Sequence, residues 1–72
     1  MVKIGEKTRI QVGTRIQKIR KQVGLTQEEL ADKVHLSRTH VGHIEQGRKS
    51  PSIEVLEKIA RTLRVKVKDL FP

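Results

Sequence analysis

The chain has 72 residues, no cysteine, and 16 Lys and Arg against 8 Asp and Glu. A chain of this length forms one small domain with a limited hydrophobic core, and the missing cysteines exclude disulfides and thiolate metal sites. Its apolar runs are far shorter than the roughly 20 residues of a membrane-spanning helix. The N-terminus has no apolar signal region, so we expect a cytoplasmic protein with no membrane partner.

The formal charge of +8 is unevenly distributed along the chain. Residues 1–25 carry seven basic residues and one acidic residue, residues 48–72 carry seven and three, and residues 26–47 carry two and four. A basic excess indicates nucleic acid, an acidic protein or a membrane surface as the partner. Phe71 is the only aromatic residue, which argues against binding single strands by base stacking.

No pattern typical of an enzyme is present. The sequence shows no nucleophile paired with a base, no carboxylate pair and no glycine-rich phosphate loop. Three His without Cys at ligand spacing do not indicate a metal site. We therefore expect no catalytic residues, no metal, no cofactor and no small-molecule ligand.

The N-terminal part of the chain is predicted to be an arm followed by a helix. We assign residues 1–8 to the arm and residues 9–72 to a single domain. Thr8 and Gln11 have the spacing of a capping box, and Gly24 is suited to end the helix. Gly13 predicts the close approach of another backbone. The apolar stripe of this helix consists of Val12, Ile16, Ile19 and Val23.

Two helix starts follow at short distance. Thr26 and Glu29 form a T-x-x-E capping box, which predicts a helix over Gln27 to Val34. Ser37 is suited to cap the next helix, and only two residues separate it from Val34. Two short helices joined by so brief a turn predict a helix-turn-helix unit.

The helix after Ser37 has two different faces. At about 100° per residue, Val41 and Ile44 point to one side, and Thr39, His43 and Gln46 point to the other. Arg38 occupies the first helical position. The exposed groups all form hydrogen bonds and none is negative, which suits the major groove of B-DNA. An ordinary solvated helix face would have the same residue types, so composition alone does not decide between the two interpretations.

The C-terminal third of the chain predicts a basic loop and further helices. Arg48, Lys49 and Ser50 form the loop. Ser52 is the preferred cap of the next helix, with Ser50 and Pro51 as the alternative start. The buried stripe of that helix consists of Val55, Leu56, Ile59, Ala60 and Leu63. A last short helical turn is expected over Val67 to Phe71.

Further predictions concern contacts between distant residues. Arg20 and Glu45 each lie at the margin of an apolar face, so we expect an ion pair between them. Apolar residues also crowd the C-terminus of a chain too small to bury all of them. We therefore predict a two-fold dimer interface formed by Ser52, Val55, Val65, Val67, Leu70 and Phe71.

These motifs together resemble the lambda-repressor-like, Xre/Cro-type helix-turn-helix family, and the short chain resembles the controller proteins of restriction–modification systems. The resemblance covers about residues 10–71. The motifs that carry it are Gly13…Ile16…Ile19-Arg20, Gly24-Leu25-Thr26-Gln27-Glu28-Glu29-Leu30-Ala31, Leu36-Ser37, Val41…Ile44-Glu45-Gln46-Gly47 and Pro51-Ser52…Leu56…Ile59-Ala60…Leu63. It implies an all-α domain of five helices, binding to operator DNA, and a homodimer.

The resemblance also assigns roles to individual residues. Arg38, Thr39 and His43 fall at base-reading positions, and Arg20 and Glu45 fall at an internal ion pair. The positions that contact phosphate are Gln27, Ser37, His40, Arg48, Lys49 and Ser50. His35 and Arg64 stand where the family usually has Gly, at turns that require a positive φ.

The sequence therefore predicts a transcriptional regulator that binds a palindromic or pseudopalindromic site on double-stranded DNA as a homodimer, and that associates with the nucleoid when bound. The alternative is a protein-interaction module of the same fold, acting as an antitoxin or a coactivator-like adaptor. Specific binding to a palindromic duplex favours the regulator, whereas binding only to a partner protein favours the adaptor.

Overall fold

A computed structural model describes residues 4–72, which form four α-helices and one 3-10 turn. The helices are α1 (Glu6–Val23), α2 (Gln27–Val34), α3 (Arg38–Glu45) and α4 (Ile53–Leu63), and the 3-10 turn spans Val67–Leu70. No strand occurs within residues 4–72. The all-α fold class is as predicted. The predicted count of five helices is wrong, because the last element is a single 3-10 turn instead of an α-helix.

The first helix begins earlier than its predicted cap. Gly5 is the N-cap residue and provides no side-chain hydrogen bond, and Glu6 places an acidic side chain in the first turn. Thr8 lies inside the helix, so the predicted capping box with Gln11 is wrong. Of the predicted arm, residues 1–3 lie outside the described part of the chain, and residues 6–8 belong to α1.

The core lies among the four helices, since α1 and α2 each pack against both α3 and α4. Its side chains are at most 3% exposed and come from every helix and from the 3-10 turn. They are Val12, Ile16, Leu30, Ala31, Val34, Val41, Ile44, Leu56, Ile59, Ala60, Leu63 and Leu70. Val23 was predicted in the same stripe, but its side chain is 48% exposed, so the buried part of the stripe ends before the last residue of α1.

Side-chain caps fix the starts of three helices. The hydroxyl oxygens of Thr26, Ser37 and Ser52 each accept a hydrogen bond from the backbone N–H three residues ahead, at 3.0 to 3.1 Å. Of the two possible starts of α4, the structure shows the one capped by Ser52, since the helix begins at Ile53 and not at Pro51. Each cap satisfies a backbone donor that the helix itself leaves free.

Two helices end on residues that glycine would suit better. His35 after α2 and Arg64 after α4 both have φ of 59°, as the family resemblance predicted. Left-handed backbone is unfavourable for L-residues by about 1–2 kcal/mol, because Cβ approaches the following carbonyl oxygen. The two turns are therefore formed at the expense of stability.

Replacing Arg64 by Gly should raise the free energy of unfolding by about 1 kcal/mol, because glycine adopts a positive φ without the Cβ strain. Thermal unfolding measures the change. The matched control is Arg61→Gly, which removes the same charge from inside α4 and should lower stability by about 1 kcal/mol. If Arg64→Gly and Arg61→Gly change the free energy of unfolding equally, the backbone at Arg64 is not strained.

No helix within residues 4–72 has both the length and the apolar character that a membrane crossing requires.

Candidate nucleic-acid interface

The helix-turn-helix unit consists of α2, α3 and the turn between them. The capping box at α2 is complete, since Thr26 Oγ accepts from the Glu29 backbone N–H and Glu29 Oε1 accepts from the Thr26 backbone N–H at 2.9 Å. Hydrogen bonds from the backbone and side chain of Thr26 lower the pKa of the Glu29 carboxyl. The lowered pKa means that this cap stabilises the fold above the ordinary carboxyl pKa and is lost as the pH falls through the lowered value.

A buried ion pair connects α1 to α3. Arg20 Nε lies 2.6 Å from Glu45 Oε2, and Arg20 Nη2 lies 3.1 Å from Glu45 Oε1. The third contact of the guanidinium is Nη1 to the Leu25 carbonyl oxygen, at 2.7 Å. Arg20 and Glu45 are only 6% and 4% exposed. Two parallel bonds of this kind fix orientation as well as distance, so the pair holds α3 at a defined angle against α1.

Gln27 joins the same network from α2. Its side-chain Nε2 donates to Glu45 Oε1 at 2.9 Å. Gln27 was predicted to contact a DNA phosphate, and the structure gives its amide an internal partner as well. One of its two amide N–H donors is used by Glu45, which leaves the other for an external acceptor.

Five of the predicted DNA-contacting residues line one shallow groove on the α2–α3 surface, and Gly42 and Gln46 complete it. The predicted five are Gln27, Arg38, Thr39, His43 and Arg48. Arg38, Thr39 and Gln46 are exposed, and His43 is half-buried. The fold therefore gathers the predicted base-reading side chains with part of the predicted phosphate-contacting set.

The charge of this groove is positive. Arg38 and Arg48 supply guanidinium groups, and the carboxylate nearest to them in the network, Glu45, is buried and neutralised by Arg20. The acidic residues of α2 are exposed but are not part of the groove lining. A polyanion approaching the groove thus meets two cations and no exposed carboxylate.

The remaining predicted phosphate residues lie outside the groove lining. Ser37, Lys49 and Ser50 are exposed and His40 is half-buried. The Ser37 oxygen accepts the His40 backbone N–H, and its O–H stays available as a donor. Gln46 also lines the groove, although no DNA contact was predicted for it. Its position three residues after His43, on the same exposed face of the helix, is the sequence feature that indicates this.

A glycine sets the distance between α1 and α3. A Cβ built on Gly13 would clash with the carbonyl oxygen of Ile44 and would lie 2.7 Å from that of Glu45. This is the close backbone approach that the sequence predicted at Gly13. Because the contact falls on the last turn of α3, it controls the position of the helix that carries the groove.

The predicted dimer residues divide into two groups. Val55, Val65, Val67 and Phe71 are half-buried against the core, and Ser52 is exposed. Leu70 is fully buried within the chain, so its assignment to a dimer interface is wrong. The 3-10 turn packs against α1 and α4, which covers Leu70 without a partner. Ile53, beside Ser52, is an apolar side chain that is 71% exposed.

Comparison with known proteins gives the family. The model of the helix-turn-helix family HTH_3 matches residues 16–70. The chain belongs to this helix-turn-helix family. The chain is similar to an HTH-type transcriptional regulator of Archaeoglobus fulgidus, which is 43% identical over 58 residues, covering 81% of this chain and 83% of the relative.

Solved structures of helix-turn-helix proteins give the same fold. The restriction–modification controller protein C.AhdI from Aeromonas hydrophila is 34% identical with a TM-score of 0.83, covering 86% of this chain and 94% of the other. The biofilm regulator SinR, solved in complex with DNA, is 37% identical with a TM-score of 0.77, covering 82% and 95%. These likenesses show a lambda-repressor-like fold of the Xre type and relatives that regulate transcription.

Proposed function

We propose that this helix-turn-helix protein is a transcriptional regulator that binds a palindromic or pseudopalindromic operator in duplex DNA. In this proposal α3 enters the major groove, and Arg38, Thr39 and His43 contact base edges. The observation that carries it is the single groove that brings these side chains together with Gln27 and Arg48. SinR, which shares the fold, has been solved with DNA.

The residue types of the groove fit a division between base contacts and phosphate contacts. An arginine forms two hydrogen bonds to guanine O6 and N7, the commonest specific contact in the major groove. Contacts from the flanking cations Arg48 and Lys49 to phosphate position the protein without reading sequence. The Arg20–Glu45–Gln27 network supports both functions, because it connects α3 to the N-terminus of α2.

The proposal includes a homodimer. Two copies related by a two-fold axis would present two α3 helices about 34 Å apart, the length of one DNA turn. The interface would use Val55, Val65, Val67 and Phe71, with Ser52 and the exposed Ile53 beside them. The protein would act in the cytoplasm, at the nucleoid when bound to DNA, and would have no catalytic activity.

Selection of binders from a random duplex pool tests the DNA-binding function. We expect an enriched palindrome whose half-site centres are about 10 bp apart, and an affinity that falls linearly with the logarithm of salt concentration. If no sequence is enriched and the protein binds only a partner protein, the proposed function as a DNA-binding regulator is wrong and the adaptor function is favoured.

Sedimentation at tens of micromolar, with and without the selected duplex, tests the dimer. We expect a dimer on DNA, and we expect Ile53→Glu to weaken self-association because it would bury a charge in the interface. The control is Glu57→Gln, an exposed position of α4. If sedimentation shows only one protein copy bound per palindrome at saturating protein concentration, the proposed homodimer is contradicted.

A further inference from the structure

Arg9 on α1 makes a contact that the proposed groove does not explain. Its Nε lies 2.7 Å from the carbonyl oxygen of Gly47, across 38 residues of sequence. That carbonyl belongs to the peptide that joins Gly47 to Arg48. The guanidinium of Arg9 is therefore held at the start of the basic loop Arg48–Ser50.

The packing beneath Arg9 makes this position well defined. Gly47 is buried and has φ of 76°, and a Cβ built on it would lie 2.9 Å from Cα of Ile10. The first turns of α1 and the end of α3 thus meet at backbone distance. Arg9 itself is half-buried, so its aliphatic part is supported by the protein.

Among residues 4–72, only one hydrogen bond uses the guanidinium of Arg9. A guanidinium has five N–H donors, and Gly47 takes the one on Nε. Within residues 4–72 the ion pairs are Arg20–Glu45 and Glu54–Lys58, so no carboxylate neutralises Arg9 there. A guanidinium held at the start of the loop that carries Arg48 and Lys49, with donors that no group of residues 4–72 accepts from, has the chemistry to bind a planar oxyanion or phosphate.

We propose that Arg9 binds a phosphate of the DNA backbone and forms, with Arg48 and Lys49, a phosphate-binding cluster at the C-terminal end of α3. This inference rests on the proposed function, since it names a further contact to the same DNA. It also gives a function to part of the basic excess of residues 1–25. Arg20, in the same segment, is neutralised by Glu45 and contributes no such contact.

The test is the salt dependence of DNA binding by Arg9→Gln, measured on both selected and scrambled duplex. Each phosphate contact contributes about 0.9 to the slope of log affinity against log salt. We expect Arg9→Gln to lower the slope by about 0.9 per bound copy and to weaken both duplexes equally. For each bound copy, the ratio of wild-type to variant affinity should then fall by about 3.5-fold between 50 and 200 mM salt.

Two further variants separate this contact from general charge and from folding. Lys18→Gln removes the same charge from the opposite side of α1, because nine residues at about 100° each amount to about two and a half turns. This variant should leave the slope unchanged. Arg9→Lys retains the charge without the Nε donor to Gly47 and should retain the slope. Thermal unfolding identifies any variant that is not folded, in which case Arg9→Met, which keeps the aliphatic stem, replaces Arg9→Gln.

The outcomes distinguish this inference from the proposed function. If wild type binds duplex but Arg9→Gln and wild type have the same slope, Arg9 is only a structural contact to Gly47 and the inference is wrong. If Arg9→Gln and Lys18→Gln lower the slope equally, the effect is net charge and the inference is also wrong. If wild type binds no duplex even at 50 mM salt, the proposed function fails, and this inference fails with it.

Discussion

Replacing Glu45 by Ala should lower the free energy of unfolding by about 3–5 kcal/mol. The change leaves the Arg20 guanidinium buried without its carboxylate, and breaking one side of a buried pair is far more damaging than its net contribution to stability suggests. Gln27 would also lose the acceptor of its amide. Chemical denaturation of wild type and variant measures the difference.

An exposed ion pair provides the control for Glu45. Glu54 and Lys58 lie 3.5 Å apart on α4, and the Glu54 side chain is 78% exposed. Glu54→Ala should change stability by less than about 1 kcal/mol, because solvent screens such pairs. Replacing Arg20 and Glu45 together by apolar residues should be much milder than Glu45→Ala alone. Equal losses for Glu45→Ala and Glu54→Ala would argue against a buried pair.

Gly13→Ala should lower stability by about 1–3 kcal/mol, although alanine is the better helix former. The added methyl group would clash with the Ile44 carbonyl oxygen and lie 2.7 Å from that of Glu45. Backbone cannot rotate away as a side chain can, so α1 and α3 must separate, which is the usual penalty of overpacking. Denaturant unfolding gives the size of the loss.

The matched control is a second helical glycine. A Cβ on Gly42 in α3 would meet only Gln27 Nε2, at 3.9 Å, which is an ordinary contact. Gly42→Ala should therefore raise stability by about 1 kcal/mol through helix propensity alone. Opposite signs for the two changes are the expected result. A gain in stability for Gly13→Ala would mean that α1 and α3 are not in backbone contact.

Local hydrogen bonding made much of the fold predictable from sequence. A cap needs only a hydroxyl or carboxylate oxygen three residues before the backbone N–H that it accepts, so Thr26, Ser37 and Ser52 identify the starts of α2, α3 and α4. The same reasoning failed at α1, because its cap is Gly5, which has no side chain to give a signal. Left-handed turns at His35 and Arg64 were predictable from the family resemblance only.

Tertiary packing decided what the sequence left undetermined. The i, i+4 pattern assigned Val23 to the core, but the pattern does not show which positions of the stripe another helix covers, and Val23 is 48% exposed. Leu70 was predicted at a dimer surface because apolar residues crowd the C-terminus. Its burial within the chain depends on how the 3-10 turn packs onto α1 and α4, which the sequence pattern does not show. The contact between Arg9 and Gly47 joins residues 38 positions apart, and no local rule predicts such a pair.

The helical period separates Arg38, Thr39 and His43 from the core face, so the exposed position of these proposed base-reading residues was predictable from sequence. Their convergence with Gln27 and Arg48 required the angle between α2 and α3, which the buried network fixes. The central claim is that Arg38 distinguishes one base pair from another.

That claim is tested by the affinities of wild type, Arg38→Ala and Arg48→Ala on the selected operator and on scrambled DNA, across a range of salt. Arg38→Ala should lose about 1–3 kcal/mol on the operator and relax the preference at one base pair. Arg48→Ala should weaken both duplexes alike and lower the salt slope by about one. If Arg38→Ala leaves the ratio of operator to scrambled binding unchanged, Arg38 does not read a base, and the assignment of this groove as the reading surface is contradicted.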